Sequence, residues 1–194
     1  AAYKLKDSYD SNVLTYIGAN ATTVGGIGTA TDGTTNEPID LGHESGEVDP
    51  LEVLARMARI LDDNNVPEEG RWVVAEPAFY EQLANTNSKL MSIDYNQGDG
   101  GLRNGLVASG HLRGFMMYKS RNIPTLAGTG SFSGTALSQI IGGHMSAVAA
   151  ASALSQTESF RSPTTFADVV RGMLVWGRKV LRPEAIVKAA YNVD

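Results

Sequence analysis

The sequence predicts an α+β fold. Two segments in the first third carry apolar residues at the three-and-four spacing of a helix face, while the second half consists mostly of short apolar runs separated by Gly, Ser and Thr. No internal repeat is visible that would turn these pieces into a solenoid or propeller. With 194 residues, 42% of them hydrophobic and 19% charged, the chain can bury the core of one or two domains without a disulfide or metal staple.

The first element is a helix from Ala2 to Ile17, whose Ala2, Leu5, Tyr9, Val13, Tyr16 and Ile17 share one face. It opens without a capping residue, so it reads as the end of a longer helix. Gly18 to Glu47 is rich in Gly and Thr and almost aperiodic; it is far longer than the 12–15 residues or so at which structureless connections become unusual, so a functional or mobile loop is expected. The strongest helix signal follows. Asp49 can cap it, Pro50 suits its first position and Glu52 can complete a capping box, with Leu51, Leu54, Met57, Ala58 and Leu61 facing the core. Asn64-Asn65-Val66-Pro67 ends it, and Pro67 to Gly70 reads as a turn.

Arg71–Ala75 is expected as a strand, and Pro77 opens a second helix reaching about Leu83. A polar loop from Ile93 to Asn104 holds Gly98, Gly100 and Gly101. His111 to Ser120 reads as one strand, and the Gly/Ser/Thr stretch 128–135 leads into extended segments. Arg171 to Val187 is a long β-like run broken at Arg182-Pro183, with a helix over Phe166–Val175 as the alternative. Trp72, Tyr80, Tyr118 and Trp176 lie inside these elements and are expected in the core.

The same residues exclude most chemistry. The absence of cysteine removes disulfides, thiolate nucleophiles and cysteine-based zinc sites. A net charge of −5 and a pI near 5.2 argue against wrapping nucleic acid over the whole surface, and apolar runs such as Met173–Trp176 are far too short to span a membrane. No signal peptide is visible, and position 1 is Ala. Asn20-Ala21-Thr22 is a formal glycosylation sequon with nothing else pointing to secretion. His43, His111 and His144 are widely separated, form no metal-binding spacing and are expected as surface or hydrogen-bonded side chains.

Gly26-x-Gly28 meets Thr31 where a dinucleotide fingerprint needs its third glycine, and no strand–helix pair flanks it. Gly130-Ser131-Phe132-Ser133-Gly134 has Phe where a nucleophile elbow needs serine. The run from Asp94 to Asp99 begins like a calcium loop, but Gly105 stands where its bidentate Glu belongs. Asp62-Asp63 and Glu68-Glu69 are neighbours whose side chains diverge, as solvated pairs do. The densest basic stretch is Arg171, Arg178, Lys179 and Arg182. On an extended strand Arg178 and Arg182 share one side, to meet DNA or a neighbouring subunit's acids or simply to face solvent. No catalytic residue, cofactor or metal is expected.

The order of the motifs carries further. Asn65-Val66-Pro67-Glu68-Glu69-Gly70-Arg71 runs into an apolar strand and a helix opened by Pro77-Ala78-Phe79-Tyr80. Gly114-Phe115-Met116-Met117-Tyr118-Lys119-Ser120 leads on to Ile123-Pro124, and the chain closes on Arg182-Pro183-Glu184-Ala185-Ile186-Val187. This succession resembles the major capsid proteins of tailed bacteriophages, with their HK97-type coat fold, over nearly the whole chain. The resemblance implies that residues 1–48 hold the end of the spine helix of the peripheral (P) domain and a loop, that 49–143 form the axial (A) domain, and that 144–194 return to the P domain as long strands. It makes Ile93–Asn104 the loop at the capsomer centre, so that Asp94, Asn96, Asp99 and Arg103 join Arg161, Arg178 and Arg182 as subunit-interface residues, Arg161 through the likeness of Ser159–Pro163 to the P-domain loop near threefold contacts. An amino-terminal arm and E-loop are expected ahead of the spine helix and are missing from the sequence. The short Thr125–Thr135 connection leaves no room for a telokin-like insertion.

The resemblance further implies a self-assembling, non-enzymatic shell protein in the virion, assembled in the host bacterial cytoplasm. Its partners would be copies of itself in pentamers and hexamers, scaffolding, portal and decoration proteins, and double-stranded DNA held non-specifically on the inner face, with no membrane. Two other readings stand beside it: an encapsulin-type nanocompartment shell, which shares the fold, and a small α+β hydrolase with an unrecognised, spatially assembled site.

Overall fold

The computed structural model describes residues 2–24, 33–34, 37–85, 102–103, 106–107, 111–164 and 167–193. Helix α1 (Ala2–Ala19) opens the chain as expected. The segment after it is not wholly irregular, because β1 (Thr22–Thr23) and β2 (Ile39–Asp40) both pair in parallel with a strand near the other end of the chain. Strands of two residues carry no readable periodicity, which is why the sequence shows only a loop there.

Helix α2 (Pro50–Asp63) begins where expected, with the Leu51 N–H donating to the Asp49 carboxylate at 2.7 Å. The cap bond thus lands on the second helical residue, one short of the third-position N–H that a capping box uses. Pro50, Leu51, Val53, Leu54, Met57 and Leu61 are buried. The helix ends in a Schellman motif: Asn65 is left-handed at φ 53°, its N–H donates to Asp62 O, and the Val66 N–H donates to Leu61 O. Pro67 then prevents continuation.

Strand β3 (Arg71–Ala75) and helix α3 (Pro77–Leu83) follow at the expected bounds. Strands β4 (Leu102–Arg103) and β5 (Leu106–Val107) pair with each other. The expected single strand at 111–120 is instead a hairpin of β6 (His111–Leu112) and β7 (Phe115–Lys119). Arg113 and Gly114 both take positive φ, 52° and 82°, which is the backbone of a type I′ turn. After β8 (Leu126–Ala127) come β9 (Ala136–His144), β10 (Val148–Arg161), β11 (Asp168–Val180) and, past a 3-10 turn at Pro183–Ala185, β12 (Ile186–Asn192). The helical alternative for 166–175 fails: from Asp168 this stretch is strand, its β-branched Val169 and Val170 paired with Phe160 and Ser159.

One sheet runs in the order β1-β12-β9-β3-β7-β6, with β2 also on β12 and β8 on β9. Segments 1–48 and 144–194 therefore both contribute strands to the sheet that is otherwise built from 49–143. Helices cover both of its faces. On one side Met57 of α2 and Val73 close over Gly142, and Phe79 of α3 meets the Tyr191 ring edge-on at 5.8 Å. On the other, Gly18 of α1 lies against Ile141, and Lys188 donates to the Gly18 carbonyl at 2.8 Å. A cation there suits the carbonyl end of α1, although burial lowers the Lys188 pKa. Trp72 and Tyr80 pack against the core, whereas Tyr118 is exposed and Trp176 stands apart on β11.

The Tyr191 hydroxyl is buried beside Ser138 and Glu76 and makes no hydrogen bond, while the Ser138 hydroxyl donates to Glu76 at 2.9 Å. Burial first, and then the Glu76 charge, push its pKa well above the ordinary phenol value. Removing an unsatisfied hydroxyl costs little, so Tyr191→Phe should change stability by less than about 1 kcal/mol at neutral pH. The wild-type chain is expected to lose stability as pH climbs above the unfolded phenol value near 10, because there the unfolded tyrosine releases its proton and the folded one keeps it. Tyr191→Phe should flatten that alkaline loss in urea melts; an unchanged slope would show that the phenol does not carry it.

Candidate assembly surfaces

Among the described residues, the long β10–β11 ribbon stands apart from the main sheet and the helices on it. It is an antiparallel pair of long strands running from Val148↔Val180 at its base to Arg161↔Asp168 at its tip, where the Ser162 N–H closes the turn on Ala167 O. The base is attached: Val148 and Val180 pack on the core, and the N–H groups of Leu181 and Arg182 both reach Ala147 O. Towards the tip, side chains that a solvated strand would not favour stand in the open. Phe160 is 40% exposed, Val170 62%, Met173 50% and Val175 46%. A two-stranded ribbon is marginal alone, and grouped apolar side chains of this size are the surface feature that interaction sites share.

Alternation assigns the faces. Leu174, Trp176, Arg178 and Val180 lie on the side towards α1 and are partly buried, while Met173, Val175, Gly177 and Lys179 lie opposite. Across the outer face near the tip, Arg171 meets Glu158 through Nε and Nη2 at 2.9 and 2.7 Å, and its guanidinium lies 5.2 Å from the Phe160 ring centroid.

Of the residues expected at subunit interfaces, Arg161, Arg178 and Arg182 are placed with their side chains, each in a different setting. Asp94, Asn96 and Asp99 lie outside the described residues, and Arg103 is placed only as backbone, in β4. Arg161 is exposed at the ribbon tip, opposite Asp168, and engaged within the chain. Ser159 and Phe160, expected in a loop with it, belong to β10. Arg178 faces α1, with its guanidinium 4.8 Å from the Tyr16 ring centroid. Arg182 does not continue that strand side: β11 stops at Val180, and Arg182 pairs with Glu184 at 3.1 Å in the turn before β12. The Glu184 carboxyl is held below its usual pKa by its own backbone N–H and then by Arg182.

Two histidines are hydrogen-bonded as expected. His43 donates from Nε2 to Gln82 O at 2.9 Å, and His144 donates to Glu69 O at 2.8 Å while its Nδ1 accepts from the Ser146 N–H. Among the described residues no group of three or more His, Asp or Glu is placed to hold a metal ion, and no helix is long and apolar enough to cross a membrane.

The sequence reading missed the apolar outer face of the ribbon and the aromatic contact of Trp176 with Tyr9. The first had a signal: between Val169 and Val175 apolar residues occupy both alternating faces, the pattern of a strand covered on both sides. The second joins residues at opposite ends of the chain and had none.

This architecture has known counterparts. A chain solved from Mycobacterium phage Che8 is 26% identical with a TM-score of 0.75, covering 96% of this chain and 59% of that one. The capsid of cyanophage P-SCSP1u (16% identity, TM-score 0.63, 98% of this chain and 63% of that one) and the mature capsid of bacteriophage PhiM1 (16%, 0.61, 100% and 62%) share the fold. The chain thus spans about three-fifths of the length of these relatives. No curated protein matches the sequence. The family described as phage capsid protein matches residues 1–189. The α+β arrangement of sheet and ribbon is therefore that of phage capsids, and the chain belongs to the phage capsid protein family.

Proposed function

We propose that the chain is the greater part of a major capsid protein, a structural subunit that self-assembles into the icosahedral shell enclosing phage double-stranded DNA. The observation that carries this reading is the family match over residues 1–189, supported by the agreement in fold with the Che8 chain. It favours a coat protein over an encapsulin-type shell and over a hydrolase. The geometry fits such a role, because the molecule presents long strand edges and an apolar ribbon face that repetition by symmetry can cover.

In this reading the subunit forms pentamers and hexamers with its own copies, and scaffolding, portal and decoration proteins act on them in the host bacterial cytoplasm. DNA is held non-specifically on the inner face, a weak association with which a mildly acidic chain is compatible. The three-part division at 48 and 143 carries over as spine helix with loop, axial domain and returning peripheral strands. Asp94, Asn96, Asp99 and Arg103 then sit at the capsomer centre, and Arg161 near the threefold contacts.

Negative-stain microscopy of the full-length protein expressed with its neighbouring phage genes is expected to show closed, regular shells. Shells loaded with a host enzyme in place of DNA would favour the nanocompartment. Small monodisperse particles under every condition would sink the coat-protein reading.

A further inference from the structure

The joint between the ribbon and the rest of the chain has a definite construction. Arg178 lies on the α1-facing side of β11, with its guanidinium 4.8 Å from the Tyr16 ring centroid and 5.3 Å from that of Trp176. It donates to the Asn12 backbone carbonyl and reaches Asn12 Oδ1 at 3.3 Å. Trp176 in turn meets the Tyr9 ring edge-on at 4.9 Å. One cation therefore holds two aromatic rings and a helix carbonyl together, joining β11 to the middle of α1. The end of α1 is held separately, where Ile17 is buried in the core and Lys188 binds the Gly18 carbonyl. The helix is thus a strut fixed to the sheet at one end and to the ribbon along its side.

Just beyond this clamp the ribbon changes register between Ser152 and Leu154, opposite Trp176 and Val175. Such irregularities bend and twist a strand pair locally, so the direction of everything towards the tip is set by what holds the base. Arginine suits the task in a way lysine does not, since a planar guanidinium can lay its face on rings while its N–H groups donate in its own plane.

We propose that Arg178 is a positioning residue that fixes the angle of the β10–β11 ribbon to the body of the subunit. Its consequence for shells rests on the coat-protein reading; the clamp itself does not. In a cysteine-free background of the full-length protein, Glu68→Cys on the body and Thr164→Cys at the ribbon tip would carry spin labels, with the distance between them read by double electron–electron resonance in soluble subunits. The parent is expected to give a single narrow distance peak. Arg178→Ala should lose that narrow peak, with circular dichroism and thermal melting reporting that the sheet is intact. Should the alanine protein fail to fold, Arg178→Lys decides, since it keeps the charge and lacks the fork, and it too should broaden the peak. A narrow peak at the parental distance in the folded variant overturns the proposal. Shells are scored separately by electron microscopy. Regular, parental shells from Arg178→Ala would break the link between the clamp and shell geometry. A parent that forms no shells would refute the coat-protein reading while the distance measurement still decides the clamp.

Discussion

Gly143→Val should destabilise the fold by about 3 kcal/mol or more, the range reached when a packed interior is forced to take extra atoms against rigid neighbours. Gly143 sits in β9 between β12 and β3, paired with Ile186 on one side and Trp72 on the other. A Cβ there would lie 2.8 Å from the Ala185 carbonyl oxygen and 3.3 Å from the Ile186 Cα, both backbone atoms that cannot swing aside. The turn at Pro183–Ala185 would have to lift, and β12 with it. Gly177→Ala makes the comparison, because nothing lies within 4 Å of the added carbon, and it should stay within about 0.5 kcal/mol of the parent. Urea unfolding midpoints of the two variants measure the difference. Equal midpoints would mean that the Ala185 turn yields freely.

Arg71→Ala is expected to cost about 3 kcal/mol. Arg71 is 4% exposed at the start of β3 and serves three acceptors around the end of α2: Pro67 O from Nε at 2.9 Å, and Val66 O and the Asp62 carboxylate from Nη2 at 2.5 and 2.6 Å. The loss comes mainly from the two carbonyls, since a buried acceptor left without its donor costs about 1–3 kcal/mol. Asp62 is half exposed and can turn to water. Asp62→Asn keeps an oxygen that can accept from Arg71 Nη2 and should therefore cost about 1 kcal/mol, the worth of the lost charge assistance. Arg71→Lys should fall between the two, because an ammonium cannot reach all three acceptors from a single planar group. Chemical denaturation of the three variants sets the order, and an Asp62→Asn loss matching that of Arg71→Ala would move the weight from the carbonyls to the ion pair.

Much of the central α/β portion was legible, for local reasons. Asp49-Pro50 and Asn65-Val66-Pro67 bracket α2 with cap chemistry that acts within one turn, and Pro77 opens α3 by its fixed φ. What escaped was non-local. Thr22–Thr23 and Ile39–Asp40 become strands only because β12 offers its edge. The Arg113-Gly114 turn needed an arginine at positive φ, which composition alone does not announce. For the candidate interface, reading Arg178 and Arg182 as one strand face assumed that β11 ran past Leu181; it stops earlier because the Leu181 N–H turns to Ala147 O. Tyr118 was expected inside on the strength of its strand, yet a strand has two faces, and the sequence of β7 does not say which one is wet.

The position of β12 also bears on when the subunit takes shape. It is the last element of the described chain to be synthesised, yet it lies inside the sheet, between β9 and the early strands β1 and β2. Until Ile186–Asn192 has emerged from the ribosome, β9 has one bare edge and β1 and β2 have nothing to pair with. Closing contacts so distant in sequence is slow, and the sheet must wait for them. A nascent chain therefore holds its first strands in waiting through most of translation, and the sheet closes in one late step when its final strand is free.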